Sequence, residues 1–122
     1  MLKSKIHRAT LTGKALDYEG SIAVDAILLE RADILPGEQV HVLNLHNGAR
    51  LVTYAIPAPA NSGTVLLNGP AARLGEPGDP VIILTYADMP SAKAKSFQPV
   101  VVRVDAKNRP LLKSRSEKRT TI

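Results

Sequence analysis

Gln39-Val40-His41-Val42-Leu43-Asn44-Leu45, then His46-Asn47-Gly48, then Arg50-Leu51-Val52-Thr53-Tyr54-Ala55-Ile56, is the stretch that decides the fold class. The first run alternates apolar and polar residues, the period of a strand with one buried face. It follows the turn pair Pro36-Gly37. Asn47-Gly48 reads as a hairpin turn, with Asn-Gly supplying positive φ. The second run, rich in β-branched and aromatic residues, reads as the return strand.

Outward from this hairpin the pattern repeats. Lys5–Thr12 alternates loosely and stops at Gly13. Thr64–Leu67, Val81–Tyr86 and Val100–Val104 are further short apolar runs between turn signals. Two segments read as helical. Asp25–Ala32 begins with a good N-cap in Asp25, and Asn68–Leu74 is short, with Pro70 in its first turn. Residues 57–63 and 75–80 are loops by composition, rich in Pro and Gly. Short strands, two short helices and no repeat predict a mainly β fold, a small closed barrel.

The chain has 122 residues, the size of one domain with one core. It has no cysteine, which excludes disulfides, thiolate metal sites and a thiol nucleophile. No histidine has a metal-ligand partner at a convincing spacing, so no metal is expected. No apolar run approaches the ~18 residues of a membrane span. The N-terminus lacks the apolar stretch of a signal peptide, so the expectation is a cytoplasmic protein without a membrane partner. The net charge of +5 comes entirely from the last twenty residues, because acidic and basic residues cancel over 1–102. The domain reading is a barrel over 1–102 and a basic, disordered C-terminal tail over 103–122. With no Trp, one Phe and three Tyr, the chain lacks a base-stacking platform, and no nucleic-acid partner is expected.

Tyr18-Glu19-Gly20-Ser21 carries the chemistry. The Ser21 hydroxyl can attack the Gly20 carbonyl, and an N-to-O acyl shift then gives an ester. Gly20, lacking Cβ, is expected to take the strained geometry this needs. The developing oxyanion needs a donor. β-Elimination and hydrolysis leave ammonia and a pyruvoyl group at the head of residues 21–122, while residues 1–20 end in a free carboxylate. A pyruvoyl group condenses with a substrate amine as a Schiff base and draws off the electrons released when carbon dioxide leaves. Such a site needs cations for substrate carboxylates and a proton donor, and no metal.

From about Met1 to about Phe97 the sequence resembles the pyruvoyl-dependent aspartate 1-decarboxylases. The markers are Lys5-Ile6-His7-Arg8, Tyr18-Glu19-Gly20-Ser21, Asn47-Gly48-Ala49-Arg50, Thr53-Tyr54-Ala55-Ile56 and Val65-Leu66-Leu67-Asn68-Gly69. Asp79-Pro80-Val81-Ile82-Ile83 and Met89-Pro90 follow in the right order. The resemblance implies a six-stranded double-psi β-barrel assembled as a homotetramer. It implies conversion of L-aspartate to β-alanine and carbon dioxide, feeding pantothenate and coenzyme A synthesis. It implies that Ser21 becomes the pyruvoyl group after cleavage at Gly20. Thr53 then supplies a hydroxyl near the Gly20 carbonyl during self-cleavage, and Tyr54 is the proton donor. Lys5 and Arg50 receive the substrate carboxylates, Asn68, Gly69 and Ala71 line the substrate pocket, and His7 and Tyr18 support the site. Family members commonly carry alanine where this chain has Pro70, so any backbone donor there is lost, while that of Ala71 remains.

The residue chemistry agrees. Arg50 can bind a carboxylate bidentately. The first turn of the 69–74 helix offers free N–H groups to an anion. Thr53 and Tyr54, adjacent on a strand, face opposite sides. Thr53 is therefore expected to meet the Gly20–Ser21 loop, and Tyr54 to reach the substrate from another direction, across a subunit boundary or a bend. Cleavage is either spontaneous or assisted by a maturation factor. The alternatives are a non-enzymatic barrel that binds through its basic tail, or a pyruvoyl decarboxylase for another acidic amino acid such as glutamate.

Overall fold

The computed structural model describes residues 1–111. Its strands are β1 (Leu2–Thr10), β2 (Gly13–Ala15), β3 (Ser21–Asp25), β4 (Gln39–Asn44), β5 (Arg50–Ala58), β6 (Val65–Asn68), β7 (Pro80–Tyr86) and β8 (Val100–Arg103). Helix α1 (Ala26–Arg31) follows β3, a 3₁₀ turn (Gly69–Leu74) follows β6, and α2 (Ser91–Ala94) precedes β8.

The strands hydrogen-bond in the order β2-β6-β3-β5-β4-β7-β1-β8. Because β1 runs on into β2 through Leu11 and Thr12, the chain itself joins β2, at one end of that order, to β1, next to the other end. Leu11 exchanges backbone hydrogen bonds with the residues before β7, Asp79 and Gly78, and the Thr12 N–H donates to Val65 of β6. The result is a mainly β, six-membered ring, the double-psi β-barrel. β8 lies outside it, parallel to β1 with Val101 beside Lys5. The expected six strands thus included Val100–Val104, which is an addition to the barrel, and omitted Ser21–Asp25, which is one of its staves.

Alternation explains the core. Ile6, Ile22, Val24, Val40, Val42, Ala55, Val65, Leu67, Val81 and Ile83 project inward and are almost fully buried. Leu28 of α1 joins the same core and is fully buried. Each of the Val, Leu and Ile side chains contributes about 1.5–3 kcal/mol of burial. Helix α1 starts where expected: Asp25 Oδ1 accepts from the N–H of Ile27 at 2.9 Å. The same buried carboxylate accepts from Asn61 N–H at 3.0 Å and Gly63 N–H at 2.9 Å, tying down the 59–63 loop.

The β4–β5 hairpin pairs Leu43 with Arg50 and Gln39 with Tyr54. Its turn differs from the Asn-Gly expectation, since Gly48 has positive φ but Asn47 does not. Asn44 closes it instead: its side-chain carbonyl accepts from His46 N–H at 2.8 Å, and its amide donates to Asp79 at 2.9 Å. The first part of the expected tail is also folded. Arg103 ends β8, and Asn108 is 1% exposed. Asn108 accepts from Thr10 N–H at 2.7 Å and donates to the Thr10 and Gly63 carbonyls at 2.7 and 2.9 Å. Residues 112–122 lie outside the described residues. No helix among the described residues is long and apolar enough to cross a membrane.

Candidate active site

Ser21 opens β3, opposite Asn68 of β6. On its other side β3 pairs in parallel with β5, Ile22 beside Ala55. Stepping that register back puts Ser21 beside Tyr54 and Gly20 beside Thr53. Ser21 is 2% exposed. Its Oγ accepts from the Asn68 amide at 3.0 Å and donates to the Glu19 carbonyl at 3.3 Å. A pocket over it is lined by Asp17, Tyr18, Glu19, Ser21, Tyr54, Ile56 and Asn68.

Of the residues singled out in the sequence, Ser21, Tyr54, Asn68 and Tyr18 therefore meet within one chain. Tyr54 needs no subunit boundary to reach Ser21, because both lie on the outer side of neighbouring parallel strands. Thr53 faces the opposite side of β5 and makes no hydrogen bond to the Gly20 carbonyl among the described residues. Ile56 also lines the pocket. Only its position two residues beyond Tyr54 on the same strand face hinted at this.

The glycine that the course of residues 18–20 requires is Gly69 rather than Gly20. Gly69 has φ +64, and a Cβ there would stand 2.6 Å from the Tyr18 carbonyl oxygen and 2.7 Å from the Gly20 nitrogen. A side chain is excluded both by conformation and by space. Gly20 has no positive φ. Ala71 is 8% exposed and packs with the core, so its side chain is not part of the pocket wall.

The cations lie elsewhere on the outer surface. Arg50 is on the same face of β5 as Tyr54, four residues before it. Its guanidinium lies 3.3 Å from His41 Nδ1 and donates to the Tyr86 hydroxyl at 3.4 Å. His41 and Tyr86 stack edge to face with ring centroids 5.0 Å apart. These two residues orient Arg50, and no local pattern signals it. They sit on β4 and β7 and meet only through sheet register. Lys5 pairs with Leu84 of β7, and Leu84 pairs with His41. Lys5 is thus three strands from β5, on the order of 14 Å around the barrel.

His7 follows on the Lys5 face, opposite Arg103. Its Nδ1 is buried with no hydrogen-bond partner among the described residues. Burial, then the charges of Lys5, Arg103 and Arg8, hold its pKa below the ordinary 6.5. Among the described residues, no three His, Cys, Asp or Glu side chains gather as metal ligands.

The family model for aspartate decarboxylase matches residues 1–111. The chain belongs to the aspartate decarboxylase family. A Trichormus variabilis protein named aspartate 1-decarboxylase is 59% identical over 111 residues, 91% of this chain and 87% of that one. Aspartate 1-decarboxylase 1 of Gloeobacter violaceus is 60% identical over 109 residues, 89% of this chain and 92% of its own. The Pelotomaculum thermopropionicum aspartate 1-decarboxylase is 56% identical over 109 residues, 89% of this chain and 83% of its own.

Proposed function

We propose that this chain is a self-processing enzyme that converts L-aspartate to β-alanine and carbon dioxide, feeding pantothenate and coenzyme A synthesis in the cytoplasm. The observation that carries the reading is the buried Ser21 hydroxyl, bonded to Asn68 beside Tyr54 and directly after Gly20. The surroundings fit a pyruvoyl group made from Ser21. The Asn68 amide is a donor for an oxygen at position 21, and the Gly69 backbone leaves no room for the preceding segment to drift. Such a group supplies an electron sink for the bond between Cα and its carboxylate.

The chain's own residues would do the rest. Asn68 holds the oxygen at position 21. The Tyr54 hydroxyl carries the proton returned to the carbon that has lost carbon dioxide. Arg50, held by His41 and Tyr86, presents a fork to a carboxylate. Lys5 takes the other carboxylate, while His7 and Tyr18 support the site. Thr53, level with Gly20, assists cleavage of the bond before Ser21.

The Ser21 pocket of one chain is lined by Asp17 and Glu19 and by no Lys or Arg. Lys5 stands three strands away from Arg50. A second copy bringing its cationic face to the Ser21 pocket supplies the cation missing from it, which supports a homotetramer with shared sites.

The test is intact mass under denaturing conditions, followed by an aspartate assay. The expected result is two pieces, residues 1–20 and an amine-blocked 21–122, with carbon dioxide release from aspartate in preference to glutamate. A single uncleaved chain of 13.1 kDa that stays whole in cell extract would overturn the reading.

A further inference from the structure

We propose that Pro70 is a positioning residue for self-cleavage, stiffening the turn whose Gly69 backbone closes on Gly20 ahead of attack by the Ser21 hydroxyl. This rests on the self-processing reading above. A Cβ built on Gly20 would meet the Pro70 Cδ at 3.6 Å and no other atom beyond its chain neighbours within 4 Å. Gly20 has no Cβ, so the Pro70 ring bounds the space on that side of Gly20 without pressing on it. On the adjoining side the Gly69 backbone closes against the Tyr18 carbonyl and the Gly20 nitrogen. Residues 18–20 are therefore closed in by the Gly69 backbone, and Pro70 acts on them through that residue.

Proline makes that turn stiff. Its ring fixes φ near −65° and restricts the residue before it. Pro70 lies in the first turn of the 3₁₀ segment, where a missing N–H breaks no internal bond. The Asn68 amide that bonds Ser21 Oγ comes from the residue just before this turn. One rigid stretch, Asn68-Gly69-Pro70, thereby sets both the nucleophile and the residue it attacks.

The step concerned is the acyl shift. Ser21 Oγ bonds to the Gly20 carbonyl carbon, the Gly20–Ser21 C–N bond breaks, and the hydroxyl proton passes to the Ser21 nitrogen. The resting hydroxyl donates to Glu19 and must turn toward Gly20. A wandering Gly20 would make a productive meeting rarer without altering the chemistry. The cost of loosening the turn therefore falls on activation entropy.

The experiment follows cleavage of the freshly synthesised full-length chain by intact mass, with and without cell extract, for the native protein, Pro70→Ala and Pro70→Gly. Rates should fall in that order, Pro70→Ala by about tenfold. Eyring plots should show a more negative activation entropy and an unchanged activation enthalpy. In an uncleavable Ser21→Ala background, adding Pro70→Ala should leave the melting temperature within about 2 °C. Equal or faster cleavage in Pro70→Ala overturns the proposal while leaving self-processing intact. So does slowing that merely tracks a fall in melting temperature. Absence of cleavage in the native chain under both conditions is the separate result that removes the underlying reading, and the proposal with it.

Discussion

The two halves of the proposed chemistry are built differently. Around Ser21 the parts come from strands that touch within one chain: Asn68 from the antiparallel neighbour, Tyr54 from the parallel one, and Gly69 against the segment before it. Around the cations the parts are spread over the outer surface, with Arg50 braced by His41 and Tyr86 and Lys5 three strands away. The first region is built on buried Ser21 and Asn68 with Tyr54 at its exposed edge, and the second is open and spread out. On the proposed reading, making the reactive group is a task one chain is equipped for, and binding a dicarboxylic substrate is one that calls for a neighbour.

The largest effect that sharpens this contrast is at Ser21. Ser21→Ala should leave a full-length chain and no measurable decarboxylation, because the nucleophile and the source of the reactive carbonyl vanish together. Intact mass and carbon dioxide release check it. Next is Gly69→Ala. A residue with a side chain at φ +64 costs ~1–3 kcal/mol, and the Cβ would lie 2.6 Å from the Tyr18 carbonyl oxygen besides. We expect a loss of at least about 3 kcal/mol in denaturant unfolding or a displaced 18–20 segment, with cleavage at least tenfold slower. Normal cleavage in this variant would show that the Ser21 region is not as tightly closed as its backbone suggests.

Arg50→Ala should do the reverse. Charge-assisted hydrogen bonds contribute ~1.5–3 kcal/mol, so KM for aspartate should rise by roughly 10- to 100-fold while the rate of self-cleavage stays native. Arg50→Lys should recover only part, since an ammonium lacks the fork that His41 and Tyr86 aim. If Arg50→Ala slowed cleavage as much as turnover, the separation between the two regions would fail.

How much of this was legible follows the range of each interaction. The β4–β5 hairpin and the start of α1 were readable because alternation and the Asp25 cap are local. β3 was not. Ser21-Ile22-Ala23-Val24-Asp25 is buried along nearly its whole length, so it shows no period, and a short apolar run without alternation has no local signature. That Val100–Arg103 lies outside the ring is a fact of pairing, which no local pattern records. Within the site, Ser21, Tyr54, Asn68 and Arg50 stood out through chemistry and resemblance. Gly69 as the crowded glycine, and His41 with Tyr86 behind Arg50, depend on contacts between strands distant in sequence. Ordinary glycine, histidine and tyrosine positions give no warning of such contacts.

The smallest predicted effect probes the open region through pH. His7 lies between Lys5, Arg8 and Arg103, and burial with these charges lowers its pKa from 6.5. The folded chain therefore holds His7 neutral where the unfolded chain is already taking up a proton. As pH falls through about 6.5, the unfolded state binds more protons and stability declines, until the folded His7 is protonated too. Melting temperature should accordingly drop on the acid side, by a few degrees at most since the site is largely solvated. His7→Gln should flatten that slope and leave the neutral-pH value nearly unchanged. A slope that survives His7→Gln would assign it to other groups. A reversed slope, with stability rising as pH falls, would mean that an anionic group faces His7 in the assembled protein. That outcome would show the open region acquiring from a neighbouring copy a partner that one chain does not supply.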